Sequence, residues 1–368
     1  MRVLVVGAGG VGSSIVSIAA RRPVFEQIMV ADVDASRAAA SAARTGSDRV
    51  LSTRVDAGNA LELVDLIRST RTDVVVNACD PRFNPPIFDA AFAAGCHYLD
   101  MAMHMSTPHP THPYELTGVM LGDAQFEVAH QWEERGQLAL VGMGVEPGFS
   151  DVVTRYASDH LFSRIDEVGV RDGADLVIDG APFAPTFSIW TTIEECLNPP
   201  IVYERDRGWF TTEPFSEPET FVFPEGIGPL GCVNVEHEEV ILMPRWLDVG
   251  RVTFKYGLGD EFIDVLKTLR LLGLHSTTPL TVRGVEVSRL RFPTPLSSAI
   301  ACVAAPAPAR WSPASAPTVR RAAPTCTKWS TTNGRCANTV TKPWCGRPQC
   351  TPWWHWSCWP KGPGAMPA

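Results

Sequence analysis

The 368-residue sequence predicts an α/β fold, a doubly wound parallel sheet followed by a second α+β domain with an antiparallel sheet. Three observations predict it. The chain opens on an apolar strand that runs into Gly7, Gly9 and Gly12 and then into a helix-compatible stretch ending near Arg21. Strand and helix patterns alternate from there to about residue 101. After about residue 150 the pattern changes to short strands separated by Pro, Gly and charged residues. The first unit is therefore Rossmann-type.

Taken in order, a second strand at 27–31 ends at Asp32, and an Ala-rich helix covers 35–43. A third strand at 50–55 ends at Asp56, a helix follows at 61–68, and DVVVNA at 73–78 has the unbroken apolar run of a strand buried on both faces. A helix at 85–95 stops on glycine, and HYLDM at 97–101 is the next strand. A helix at 124–136 and the glycine- and proline-bounded turn in LALVGMGVEPGFSD form a connector, read as an interdomain hinge or a static loop. Short strands are then expected at 168–170, 187–190, 200–203, 220–223, 239–242 and 251–254. The domains are accordingly 1–123 for dinucleotide binding, 124–150 for the connector, 151–288 for substrate and dimerisation, and 289–368 for a tail.

In a doubly wound sheet, ligands sit outside the carboxyl ends of the strands, which places Gly7, Asp32, Asp56, Asn77 and Asp100 on one edge. The turn Gly7, Ala8, Gly9, Gly10, Val11, Gly12 presents backbone N–H groups and a helix N-terminus to a dinucleotide pyrophosphate. Asp32, twenty positions beyond Gly12, accepts hydrogen bonds from an adenosine ribose and repels a 2′-phosphate, so NAD is favoured. Arg37 lies near enough in sequence to assist a phosphate, which keeps NADP open. Asp56 is placed to reach adenine, and Asn77 with Ala78 to line the nicotinamide side, with turn capping the competing role for either.

Composition narrows the class. At 45% hydrophobic the chain buries ample core, and a net charge of −8 argues against a nucleic-acid partner. No run of about 18 uncharged apolar residues is present, and the first strand begins at Val3, so a cytoplasmic protein without membrane or leader segments is expected. Only Cys79, Cys96, Cys196 and Cys232 precede residue 300, and none forms a CxxC pair. The run MHMSTPHPTHPYE carries His104, His109 and His112, but its prolines and irregular spacing suit a loop, so no metal is expected.

With VVGAGGVG, DVVVNACDP, AGCHYLDM, GMGVEPGFSDVV, HEEVILMPRWL and VTFKYGL in place, the chain resembles the saccharopine dehydrogenase family from residue 1 to about 288. The resemblance implies an NAD(P)-dependent oxidoreductase, in homodimeric form, that transfers hydride at a C–N bond of an amino-acid or polyamine substrate. The chemistries implied are those of saccharopine, lysine, carboxynorspermidine and homospermidine. A non-catalytic dinucleotide-binding protein or a decayed pseudoenzyme is the competing class. Hydride leaves a carbon bearing nitrogen, so the amine must be unprotonated and a base near neutrality is needed. His237 and Asp100 are the candidates for proton transfer, and Arg245 and Lys255 for holding a substrate carboxylate. His237, Glu238 and Arg245 are expected on one strand and its exit, with Lys255 on the next; His237 and Glu239 would share a strand face that Glu238 does not.

The tail does not fit the rest. No Asp or Glu follows Glu286, whereas seven of the 11 Trp and six of the 10 Cys do. Proline recurs too often for helix or strand. Besides a cysteine framework or an interaction tail, a shift of reading frame near 287–292 accounts for this break. With permitted codons, back-translating 327–362 and reading from the third base gives ordinary composition with a helix-like end. A chain so shifted is expected to be poorly soluble or inactive, since losing a packed helix uncovers side chains worth roughly 1.5–3 kcal/mol each.

Overall fold

The computed structural model describes residues 1–173, 189–224, 226–274 and 280–287; the tail at 289–368 lies outside the described residues. Strands β1 (Arg2–Val6), β2 (Gln27–Asp32), β3 (Val50–Arg54), β4 (Val74–Asn77), β5 (His97–Asp100) and β6 (Ala139–Leu140) form one parallel sheet in the order β3-β2-β1-β4-β5-β6. Strand β1 is apolar on both faces because helices cover both. Val3 and Val5 pack against Val16 and Ala19 of α1 (Gly10–Ala19) and Ala38 of α2 (Ala35–Ala43). Leu4 and Val6 pack on the other side with Leu63 and Ile67 of α3 (Ala60–Thr70) and Ile87 and Phe88 of α4 (Asn84–Ala94). The strand order reverses between β1 and β4, so the turns that follow these two strands face each other across the ligand-binding crevice of such sheets.

The helix expected at 124–136 is two short helices, α5 (Asp123–Glu127) and α6 (Ala129–Glu134), and Trp132 of the second packs on Phe88 and Phe92 beneath the sheet. The connector is tightly folded rather than open. A Cβ on Gly148 would lie 2.6 Å from the Gly144 nitrogen, and the Gly142 N–H donates to the Asp100 carboxylate at 2.7 Å.

Beyond it come α7 (Phe149–His160), β7 (Val168–Gly173), α8 (Ile189–Leu197), β8 (Ile201–Glu204), β9 (Gly208–Thr211), β10 (Glu219–Phe223), β11 (Gly228–Asn234), α9 (Glu239–Trp246), β12 (Arg251–Gly257) and α10 (Asp260–Leu271). The sheet runs β10-β11-β12-β8-β9 in antiparallel pairs, with β7 joining β12 in parallel. Val252 and Phe254 share a core with Val168 and Val170 and with residues of α8, α9 and α10.

Two expected strands are helices. Residues 189–190 open α8, with 187–188 outside the described residues. The apolar run at 239–242 belongs to α9, where Val240, Ile241, Leu242 and Met243 are all buried. A short apolar run buried all round carries no period that separates strand from helix. Pro244 has no N–H for the Val240 carbonyl, and the Trp209 indole supplies the donor instead at 2.9 Å.

Candidate active site

The dinucleotide end is built by close packing. Gly7 has φ +101°, and a Cβ there would lie 2.7 Å from the Ala78 carbonyl oxygen; on Gly12 it would lie 1.9 Å from that of Gly7. Around Gly9 and Gly10, by contrast, a Cβ would meet nothing within 4 Å. The first turn of α1 has no acidic residue and no side-chain cap at Gly9. Backbone donors, a helix N-terminus and open space therefore coincide, which fits a pyrophosphate. Asp32 is fixed beside this turn: Ala8 N–H donates to Oδ2 at 2.8 Å and Asp34 N–H to Oδ1 at 2.9 Å. Arg37, half-exposed, reaches Asp32 at 3.6 Å.

A small cleft lies where the two domains meet. Pro81, Ala102 and Met103 line it from the first domain, and Glu194, Glu195, Asn198, Glu236 and Glu238 from the second. Four carboxyl groups share this wall, and no Lys or Arg is among the described residues lining it. Burial pushes Glu195 up to about 8 and Glu236 up to about 7, and raises Glu194 and Glu238. Asn198 donates to Glu236 at 2.8 Å and the Met103 N–H to Glu238 at 3.2 Å.

Behind the wall sits His237. Its ring stacks on Phe254 at 3.7 Å, its Nδ1 is hydrogen-bonded to Glu239 and lies 3.5 Å from Glu238, and its Nε2 is 3.4 Å from the Tyr256 hydroxyl. Desolvation pulls this imidazole down, but Glu239, Glu238 and Glu195 outweigh it and hold the ring well above the usual histidine range. Tyr256 donates to Glu195 at 3.0 Å, and Ser150 donates to Glu239 at 2.9 Å. The donor atoms of His237, Glu238 and Glu239 lie within 4.8 Å of one another. With Nδ1 already satisfied by Glu239, the group is a hydrogen-bonded charge cluster.

Residues 3–140 match the family model described as the saccharopine dehydrogenase NADP binding domain. The first domain is thus similar to the NADP-binding domain of that family. Similarity extends past it: the chain is 28% identical over 316 residues to the carboxynorspermidine synthase of Vibrio alginolyticus, covering 81% of this chain and 74% of that protein. It is likewise 28% identical over 298 residues to the carboxyaminopropylagmatine dehydrogenase of Synechocystis sp., covering 79% and 71%. The solved apo saccharopine dehydrogenase (L-Glu forming) from Saccharomyces cerevisiae shares the fold with a TM-score of 0.55 at 14% identity, over 76% of this chain and 61% of that one. The chain thus spans less than two thirds of that structure.

In the first domain, Gly7, Ala8, Gly9, Gly10, Val11 and Gly12 form one turn and the start of α1, and Asp32 is hydrogen-bonded to that turn. Asp56 is exposed and its Oδ1 accepts the Gly58 N–H at 2.9 Å, which is turn capping. The Asn77 side chain is held by Asn84, Tyr98 and the Cys79 N–H, so it shapes the turn that sets Ala78 against Gly7.

Other expected placements require corrections. His237, Glu238 and Glu239 do not alternate along a strand; they precede and open α9 and converge. Asp100 is fully buried, pushed up to about 7 by desolvation, and spends its carboxylate on Gly142 and Gln125, outside the cleft. Arg245 pairs with Asp123 at 3.2 Å over the Phe126 ring, and Lys255 pairs with Glu219 at 3.1 Å; neither lines the cleft. Sequence reasoning passed over Glu194, Glu195, Glu236, Tyr256 and Ser150. The available signal was acids embedded in apolar runs, as in TTIEECL and VNVEHEEVILM, which burial makes costly unless they serve a site.

Proposed function

We propose that this chain is an NAD(P)-dependent oxidoreductase that transfers hydride at a C–N bond of a cationic, polyamine-like substrate. The acidic wall of Glu194, Glu195, Glu236 and Glu238, facing Pro81, Ala102 and Met103 of the first domain, carries the proposal. Carboxylates attract ammonium groups, and a wall without a basic residue suits a substrate of several positive charges. Names of the relatives, carboxynorspermidine synthase and carboxyaminopropylagmatine dehydrogenase, support an amine of this kind. When bound, the nicotinamide supplies or accepts the hydride.

The chain's own residues bind and deprotonate. An amine must lose its proton before hydride leaves the adjacent carbon, and carboxyls raised to about 7 and about 8 are matched to that transfer near neutral pH. Glu236 and Glu195 serve as proton acceptors, while Glu194 and Glu238 hold the remaining charge.

Titration with NADH and NADPH, followed by turnover of mono-, di- and tri-amines read by nicotinamide absorbance, tests this. KM is expected to fall as substrate charge rises, and to fall from pH 6 to pH 8 as the wall ionises. Cofactor binding with no turnover of any amine in either direction overturns the reading.

Cofactor choice rests on Asp32 and Arg37. Asp32 favours NAD, while Arg37, half-exposed and ion-paired with Asp32 and Asp34, would have to turn from them toward a 2′-phosphate. Arg37→Ala is expected to weaken NADPH binding about tenfold, the value of one charge-assisted contact. NADH binding should change little, and equal losses for both cofactors would count against the assignment.

A further inference from the structure

Resting on that reading, we propose that His237, clamped by Glu239 and Ser150, is a one-proton store that exchanges with the cleft through the Tyr256 hydroxyl and Glu195. None of Tyr256, His237, Glu239 and Ser150 lines the cleft, whereas Glu195 does. Hydrogen bonds run without a break from the wall inward: Tyr256 donates to Glu195 at 3.0 Å, Tyr256 oxygen and His237 Nε2 are 3.4 Å apart, Nδ1 is bonded to Glu239, and Ser150 donates to Glu239 at 2.9 Å.

The direction of donation sets the resting state. Because the Tyr256 proton points at Glu195, the same hydroxyl accepts from His237, and Nε2 must carry a hydrogen. Nδ1 faces a carboxylate and carries the other. His237 is therefore an imidazolium, facing Glu195 on α8, Glu236 and Glu238 in the loop before α9, Glu239 on α9, and Asp151 on α7. Tyr256 in turn faces Asp172 on β7 and Glu146 in the connector.

Each transfer balances. When the substrate nitrogen takes a proton from Glu195, Glu195 recovers one from Tyr256, Tyr256 takes the Nε2 proton, and His237 becomes neutral with Nδ1–H still on Glu239. Oxidation of the amine runs the same three shifts backwards. Tyr256 and His237 act through Glu195 and are positioning residues. Phe254, stacked flat on the imidazole at an interplanar angle of 3°, keeps the ring aimed at Tyr256 in both charge states.

Tyr256→Phe keeps the ring and deletes the hydroxyl link. It is expected to lower kcat about 100-fold, the scale of one general acid–base step, with KM within about twofold of wild type. The alkaline limb of its kcat profile should move as Glu195 loses the store. Unchanged kcat and pH profile would overturn the relay.

A second readout needs no turnover. In 15N-histidine NMR of the NADPH-loaded protein, with His237→Gln used for assignment, His237 should be doubly protonated at pH 7.5. Glu239→Gln should return it to neutral below that pH. An imidazole that is neutral at pH 7.5 in the wild type sinks the store even if amines are turned over. A protonated imidazole without turnover of any amine instead removes the catalytic reading.

Discussion

Replacing Gly12 by alanine is expected to abolish useful dinucleotide binding and to lower stability together. A Cβ on residue 12 would stand 1.9 Å from the Gly7 carbonyl oxygen and 3.0 Å from its carbon. Both are backbone atoms of a turn that is itself fixed, since Gly7 N–H donates to Ala31 and Ala78 N–H to Val6, each at 2.8 Å. No flexible side chain is available to give way, so α1 must move off the turn. Overpacking of this kind costs about 1–3 kcal/mol. The displaced helix also carries its N-terminal N–H groups away from the phosphate position, and a misplacement near 1 Å is enough for losses of about 100-fold. Gly9 provides the contrast. Its Cβ would enter open space, so Gly9→Ala should keep the wild-type melting temperature while intruding on the bound pyrophosphate. Calorimetry and NADPH fluorescence titration separate the two: Gly12→Ala fails both, Gly9→Ala only the second. Wild-type affinity in Gly12→Ala would show that the turn does not hold the cofactor in this way.

Why the first domain reads plainly from sequence, and the second does not, follows from how far apart the interacting groups lie. VVGAGGVG and Asp32 are close in sequence, and a glycine whose Cβ would collide with the backbone leaves no alternative residue. Strand β4, buried on one face and half-buried on the other, announces itself by an uninterrupted valine run. The cleft, by contrast, joins Pro81 and Met103 to Glu195 and Glu236. Nothing local in IEECL or VEHEEV says that these carboxyls face one another. Formal charge also misleads: Arg245 and Lys255 look like anchors for a substrate carboxylate until their ion pairs with Asp123 and Glu219 are seen. His237 was legible as a residue worth following, and so was its partner Glu239, but a strand assigned to 239–242 sends Glu238 to the wrong side.

His237→Gln should unfold the second domain far more readily at pH 7 than at pH 5. In the wild type the buried cluster holds a proton on a base whose ordinary value is 6.5, and the neighbouring carboxylates raise it. That stabilisation is fully present below pH 6.5 and is lost as pH climbs through the raised folded value. The raised acids act in the same direction. Glu195 at about 8 and Glu236 at about 7 keep protons that the unfolded chain releases near 4.5, so wild-type stability also declines as pH rises above 4.5. Without the imidazolium, the cluster must take its compensating proton on a carboxyl instead. Each unit from pH 4.5 to pH 6.5 then costs the variant about 1.4 kcal/mol that the wild type does not lose. Added to this is the loss of a buried charge partner, about 3–5 kcal/mol. Urea unfolding at the two pH values measures the difference, which should be about 2 kcal/mol larger at pH 7 than at pH 5. A pH-independent penalty would mean that the cluster holds no proton on His237, and that Glu239 and Glu238 are balanced by some other group.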